Sequence, residues 1–540
     1  MPDRHEGPIT DFMKRAELLE SLSRQPVYDL VVVGGGATGL GVALDAALRG
    51  FSVVLLESHD FAGGTSSRST KLLHGGVRYL AQGNLSLVRE ALAERGTVLR
   101  MAPHLAQPLP FVMPSYQWWQ TPFYGIGLKL YDLLAGAAGL GRTEFLDVGR
   151  TLAALPGVNA RHLRGGVKYW DGQFDDARLA LALARTAEAA GAVVLNYAKV
   201  TGIRRHAEST GPRFEVDVCD HFDGTTRSIS AQCVVNATGV WVDELRAATH
   251  GQIPQAPPQR MVSPSQGVHV VVDREFLGGE TALLVPKTPD GRVLFAVPWL
   301  GKVVLGTTDT PRQDLPREPQ AFAEELDFIL SEASRALSRP VRREDVRSVW
   351  VGLRPLVAPP QHAEGSTKTL SREHTIIADA NGLITVTGGK WTTYRAMAED
   401  VLDRCFDEGF LPKKPGGLTE RHTMLGAPGP GAATSPICAA PGLHLYGTEA
   451  DRVVECPGAD IQLGMGLTEA MVRFAVRHEY AQTVEDVLAR RWRVLFLNAT
   501  AAAAMAPGVA AILREEGCAS TELKEFLGLC RHHSLISEPN

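Results

Sequence analysis

Tyr28-Asp29-Leu30-Val31-Val32-Val33-Gly34-Gly35-Gly36-Ala37-Thr38-Gly39-Leu40-Gly41 is the stretch whose reading decides the fold. Asp29 to Val33 is an apolar β-rich run, Gly34 to Gly39 a turn, Leu40 to Arg49 a helix stopped by Gly50, and Ser52 to Glu57 a second strand. This is a βαβ unit, and the unbroken apolar run Val53 to Leu56 is typical of a strand covered on both faces. The spacing Gly34-x-Gly36-x-x-Gly39 between strand and helix is a dinucleotide fingerprint. Its glycines allow a tight turn, close approach of a pyrophosphate, and close helix packing. Gly34, Gly36, Thr38 and Gly39 are therefore candidate cofactor contacts, at a helix start whose N–H groups and dipole favour a diphosphate. Glu57, at the end of the next strand, is placed to accept hydrogen bonds from ribose hydroxyls and to repel a 2'-phosphate.

The same fingerprint serves NAD and FAD, so the residues downstream of Glu57 decide between them. Gly63-Gly64-Thr65-Ser66-Ser67-Arg68-Ser69 is small and rich in hydroxyls, suited to lie along the diphosphate and chain of a flavin, which makes Thr65, Ser66 and Ser67 candidates. A second GxGxxG, common in enzymes that shuttle electrons between flavin and NAD, is absent from the chain. Cys233 to Val235 running into Asn236-Ala237-Thr238-Gly239, and Leu383 to Thr387 running into Gly388-Gly389-Lys390, read as further strands of the same sheet. Gly239, Gly388, Gly389 and Lys390 join the cofactor candidates. The helix expected from Trp391 to Leu402 would aim its positive end at the flavin and favour its reduced, anionic form.

Between those strands, Gly267 to Asp273 and Arg292 to Val297 alternate like antiparallel strands. The expected class is α/β: an FAD-binding Rossmann-type domain interleaved with an antiparallel-sheet substrate domain, followed by an α-helical C-terminal cap. The expected boundaries are an extension over 1–26, a discontinuous nucleotide domain over about 27–100, 165–245 and 345–418, a substrate domain over about 101–164 and 246–344, and a cap over 419–540. Gly426 to Gly442 has linker composition, and Glu469 to His478, Thr483 to Leu495 and Ala501 to Ala504 read as helices.

At 540 residues and 44% hydrophobic content the chain can fill two or three cores, and a net charge of −5 argues against a nucleic-acid partner. Seven scattered cysteines without a Cys-x-x-Cys pair fit a reducing compartment and offer neither a redox dithiol nor a zinc site, so no metal is expected. The mixed charges of the first 26 residues match neither a signal nor a transit peptide, and no run is long and apolar enough to span a bilayer.

Ser66-Ser67-Arg68-Ser69-Thr70-Lys71-Leu72-Leu73-His74-Gly75-Gly76-Val77-Arg78-Tyr79-Leu80 closely resembles the FAD-dependent glycerol-3-phosphate dehydrogenase family. Gly352-Leu353-Arg354-Pro355-Leu356, Gly306-Thr307-Thr308-Asp309, Asn236 to Gly239 and Gly388 to Arg395 are similar to further landmarks of that family, and Arg490-Arg491-Trp492-Arg493 to one of its C-terminal helices. The resemblance implies noncovalent FAD, oxidation of glycerol 3-phosphate to dihydroxyacetone phosphate by hydride transfer to flavin N5, and delivery of electrons to membrane quinone. It also implies that Arg354 and Arg372 hold the phosphate, that Arg78 and Tyr79 line the pocket, and that Lys390 sits beside the flavin and the reacting hydroxyl. His269 matches the family's pocket histidine and is the candidate base, with His74 as its rival. A flavin oxidase of the same superfamily, using oxygen or acting on a hydroxy acid or amino acid, is the alternative.

Trp118, Trp119, Phe123 and Tyr124, followed by Gly125 to Gly141 with Lys129 and Asp132, describe an aromatic-rimmed amphipathic surface suited to a lipid interface. Core packing is the commoner fate of such aromatics. A peripheral position on the inner face of the cell membrane, facing the cytoplasm, is the corresponding expectation, with a homodimer possible.

Overall fold

The computed structural model describes residues 15–23, 25–76, 84–206, 211, 213–250, 259–288, 291–358 and 374–535. Its first sheet is built around Tyr28–Val33, which pairs in parallel with Val53–Leu56 on one side and Thr226–Asn236 on the other. Ile384–Gly388 extends the parallel set beyond Thr226–Asn236, and Val193–Leu195 extends it beyond Val53–Leu56. Leu30, Val31 and Val32 are fully buried, as a central strand flanked on both edges and covered on both faces must be. The antiparallel strands Ala198–Arg205, Phe214–Asp220 and His374–Ala378 complete the sheet.

The second sheet has ten strands among the described residues and is almost wholly antiparallel. Its long members are Ala106–Ser115, Gly165–Phe174, Val262–Asp273 and Ser348–Val357. Gly267 to Asp273 and Arg292 to Val297 do fall on antiparallel strands, but they are not neighbours: Lys302–Gly306 lies between Val262–Asp273 and Leu294–Trp299. Along the chain the two sheets alternate, so the first sheet is assembled from three separated stretches.

Local differences from the sequence reading have physical causes. The first helix begins at Ala37, not Leu40, because Gly36 already serves as its N-cap, and it runs to Leu48. After Gly388, a tight 3-10 turn Trp391–Thr393 precedes the α-helix Tyr394–Asp407. Thr483 to Leu495 is not one helix: a π-helical turn Asp486–Arg491 leads to Arg493 at φ 63°, and a short helix Val494–Leu497 follows. The linker-like 426–442 stretch is anchored, since Leu300 N donates to Ile437 O (3.0 Å) and Gly301 N to Cys438 O (3.0 Å). Helices Glu469–His478, Ala499–Glu515 and Leu523–His533 share a core with Trp299, Val304 and Trp350 of the second sheet. The helical region is thus packed into the molecule rather than laid over it. In the N-terminal extension, helix Arg15–Ser21 docks through buried Leu18, and Arg15 donates to Asn196 O at 2.6 Å.

Helix Gln120–Ala135 presents a face outward: Trp118 is 77% exposed, Phe123 66%, Ile126 70% and Leu133 77%. Its inner side is held by buried Tyr131, whose hydroxyl donates to Asp171 Oδ2. Trp118, Trp119 and Phe123 therefore do not fill a core, whereas Tyr124 packs partly against one and Tyr131 is buried in one.

Candidate active site

Three glycines shape the first turn for different reasons. Gly34 has φ 113°, outside the range of ordinary side chains, and a Cβ there would stand 2.6 Å from Ala237 O. At Gly39 a Cβ would stand 1.9 Å from Gly34 O, so the helix can rest on the turn only without a side chain. At Gly36 the nearest atom to such a Cβ is Ser66 Oγ, 3.2 Å away, and the helix that starts there has no side-chain cap. Thr38 lies half-buried in the first helical turn.

Glu57 is half-buried at the mouth of this turn. Its Oε2 accepts from Gly35 N (2.7 Å) and its Oε1 from His59 N (2.9 Å) and Ser58 Oγ (3.1 Å). Burial raises its pKa, against the pull of the Gly35 hydrogen bond and of Arg317.

The hydroxyl-rich turn faces the glycines. Ser66 Oγ accepts from Ala37 N (3.0 Å), and Ser66 O accepts from Trp391 Nε1 (2.8 Å). Thr65 Oγ1 donates to Leu353 O (2.6 Å), tying the turn to the strand that carries Arg354. Ser67 differs from its neighbours, because its side chain is buried and its carbonyl accepts from two cations, Lys71 and Arg493. Gly239 (φ 65°) faces open space, with nothing within 4 Å of a Cβ position. Gly388 and Gly389 have φ 83° and 70°, and Thr387 Oγ1 donates to Gly239 O. Lys390 follows, half-buried. A helix start with glycine at its N-cap and Ser66 Oγ on Ala37 N, an open glycine face at 239 and a carboxylate at the strand end form a cradle that fits a flavin dinucleotide.

On the neighbouring wall, His269 and Arg354 stand on the paired strands Val262–Asp273 and Ser348–Val357. His269 is 2% exposed, stacks on Trp350 at 5.3 Å, and its Nε2 meets Thr70 Oγ1 at 2.9 Å. Its Nδ1 is buried without a hydrogen-bond partner. Burial, then the Lys71 and Arg354 cations, holds the imidazole well below its ordinary pKa, so it is neutral. The Arg354 side chain is 24% exposed and braced by donation to Gln266 O (3.3 Å), Thr307 Oγ1 (3.2 Å) and Thr308 O (3.0 Å). His74 is half-buried, and its carbonyl accepts from Thr392 Oγ1 at 3.4 Å, which ties it to the Lys390 turn. The structure thus gathers His74, His269, Arg354 and Lys390 around the 65–71 turn. Arg78, Tyr79 and Arg372 lie outside the described residues.

Residues 29–395 match the FAD dependent oxidoreductase family model, and residues 419–522 match the C-terminal domain of alpha-glycerophosphate oxidase. The mitochondrial glycerol-3-phosphate dehydrogenase of Arabidopsis thaliana is 37% identical, over 95% of this chain and 89% of the plant protein. The chain belongs to the FAD-dependent glycerol-3-phosphate dehydrogenase family. The human mitochondrial member is also 37% identical, across 93% of this chain and 72% of its own length. The glycerol-3-phosphate dehydrogenase of Bacillus halodurans, solved with FAD, superposes with a TM-score of 0.74 at 28% identity, covering 97% of this chain and 99% of that one. As a member of this family the protein is an FAD-dependent oxidoreductase.

Two groups of buried charge in this family member escaped the sequence reading. Lys71 Nζ donates to Asp176 Oδ2 and Ser67 O, both at 2.7 Å, within reach of the Trp299, Trp350 and Phe496 rings. Asp60, three residues past Glu57, is gripped by Arg490 and Arg491. Arg491 and Arg490 overcome the effect of burial and hold the Asp60 carboxyl below its usual range. No motif links residues 60 and 490, or 176 and 493, so pattern alone had no means of pairing them.

Proposed function

We propose that the chain oxidises sn-glycerol 3-phosphate at C2 to dihydroxyacetone phosphate and passes the electrons to a membrane quinone. The observation that carries this reading is a braced, partly exposed guanidinium at Arg354 beside His269, on a wall joined by Thr65 and Thr70 to the turn that faces the dinucleotide glycines. FAD, when bound, supplies the acceptor for the hydride leaving C2. Arg354 offers the phosphate a planar fork, with Arg372 as its partner in the clamp. Membership of the family supports assigning Arg78 and Tyr79 to substrate binding, and Lys390 contributes positive charge beside the flavin and the substrate hydroxyl. On this reading the ten-stranded sheet carries the substrate domain, which then takes in Gly165–Phe174 and Ser348–Val357, two strands that the expected boundaries gave to the nucleotide domain.

The proton is better assigned to His74 than to His269. A base must meet the hydroxyl it deprotonates, and His269 is closed over by Trp350 and Thr70 and disfavoured as a cation by its surroundings. Those features support an orienting role for His269 and leave the half-buried His74 to accept the C2 hydroxyl proton. Anaerobic addition of glycerol 3-phosphate should bleach the flavin, and quinone should restore its colour faster than air. Flavin that stays yellow with glycerol 3-phosphate removes the substrate, and preference for air removes the quinone. His74→Ala should slow bleaching about 10²-fold or more, as loss of a general base does, with His269→Ala slowing it less; the reverse order returns the base role to His269. Arg354→Ala should raise KM, lowering kcat/KM by about 2–3 kcal/mol, the value of a charge-assisted hydrogen-bonded contact. An unchanged KM takes Arg354 out of the phosphate clamp.

The outward stripe Trp119, Phe123, Ile126, Leu130 and Leu133 recurs at three- and four-residue spacing, which supports docking on a lipid surface. Among the described residues no helix is long and apolar enough to cross a membrane. Ile126→Asp should reduce co-flotation with phospholipid vesicles while leaving bleaching intact.

A further inference from the structure

The arginine segment near the C-terminus has no role in the chemistry above, yet it reaches the cofactor turn. Arg493 is completely buried. Its NH2 donates to Ser67 O (2.7 Å) and to Asp176 Oδ1 (3.0 Å), and its NH1 donates to Ala489 O (2.8 Å). Two irregularities of backbone aim it there: the π-helical turn Asp486–Arg491 and its own left-handed φ of 63°. Both are uncommon for ordinary side chains and persist where the surroundings hold them. The guanidinium also lies over Phe496 at 4.3 Å. Lys71 also donates to Ser67 O and to the second oxygen of Asp176. Asp176 Oδ2 in turn accepts from Ser69 N (3.1 Å) and Ser69 Oγ (2.7 Å), and Lys71 N donates to Ser69 Oγ (3.0 Å). The inward side of the 67–71 turn is thus fastened to one aspartate and two cations. The next residue back, Ser66, meets the dinucleotide helix through Ala37 N.

We propose that Arg493 is a positioning residue of the cofactor site: with Lys71 and Asp176 it locks the 65–71 turn in the shape that receives FAD, so the helical C-terminal region is an integral part of that site. The inference rests on the reading of this turn as a cofactor contact. Arg493→Lys keeps the charge and loses the fork, and Arg185→Lys is its matched control. Arg185 pairs bidentately with Glu449 (2.5 and 2.7 Å) in another buried link between helix Asp176–Ala189 and the C-terminal region, away from the turn. The measurement is titration of flavin-stripped protein with FAD, followed by flavin fluorescence, together with hydrogen exchange at the Ser69 and Lys71 amides. Arg493→Lys should weaken FAD at least tenfold and speed both amides at least tenfold, while Arg185→Lys changes each less than twofold at a similar loss of Tm. Equal effects of the two variants, or an Arg493→Lys affinity within twofold of the parent, would overturn the proposal. If Arg493→Lys does not fold, Lys71→Met tests the same carbonyl with the Arg493–Asp176 pair intact; it should show the same weakening, and its absence counts against the proposal. Gly36→Val separates the underlying reading, because FAD affinity unchanged by a side chain in the glycine cradle would show that the turn is no cofactor contact at all.

Discussion

The turn Gly34–Gly39 and the segment Asp486–Arg493 both border the 57–71 stretch, one from the start of the chain and one from near its end. The first works by absence: its glycines leave room for a helix to sit on a strand and for a phosphate to approach backbone, and, Ala237 aside, its neighbours in space come from the same βαβ unit and the loop that follows it. The second works by charge, with three arginines holding Asp60, Asp176 and a main-chain carbonyl in a region closed to water. A steric fit of the first kind costs little to maintain. A buried ion cluster of the second kind has small net value when complete, because desolvation offsets attraction, and is expensive when one member is removed.

This contrast implies an order of effects. Asp60→Asn should cost the most, about 3–5 kcal/mol in urea unfolding, since it leaves Arg490 and Arg491 short of their counter-charge. A loss below about 1 kcal/mol would show that water reaches this cluster. Gly39→Ala comes next, at about 3 kcal/mol, the upper end of overpacking costs, because the obstacle 1.9 Å away is backbone and cannot rotate aside. It should also lose FAD at the same protein concentration, and retention of both Tm and FAD would mean that the helix can shift along the turn. The gentlest effect per unit of pH is a pH dependence at Lys71. Burial lowers its pKa from 10.5 to about 7, so between those values the unfolded chain binds the extra proton and stability rises with pH. The slope from this group is at most about 1.4 kcal/mol per pH unit. Lys71→Met should flatten that rise relative to the parent, and identical slopes would mean that Lys71 keeps its proton across the range.

The site was legible where chemistry and spacing coincide. Gly34, Gly36, Gly39 and Glu57 lie within one βαβ unit, whose turn geometry follows from local dihedral freedom, and the structure places Glu57 on that turn through Gly35 N. Arg354 and His269 were legible as types in motifs, but nothing in their spacing shows that they share paired strands. His269 illustrates the limit. On an alternating strand it reads either as a base or as a hydrogen-bonded structural histidine, while its burial and its Trp350 and Thr70 contacts come from segments far away in sequence. The helix expected over Thr483 to Leu495 failed for a similar reason, because Arg493 leaves helical geometry to reach Asp176 and Ser67.

By itself the sequence determined the parallel nucleotide sheet, the glycine turn, the acidic residue after it and the hydroxyl-rich loop, because hydrophobic periodicity and glycine conformation act over a few residues. Only the tertiary structure decided which face of helix Gln120–Ala135 stays outside, which histidine is shut away, and which acid each buried arginine meets. Charge pairing inside a protein depends on which segments exclude water together, and that is a property of the assembled fold.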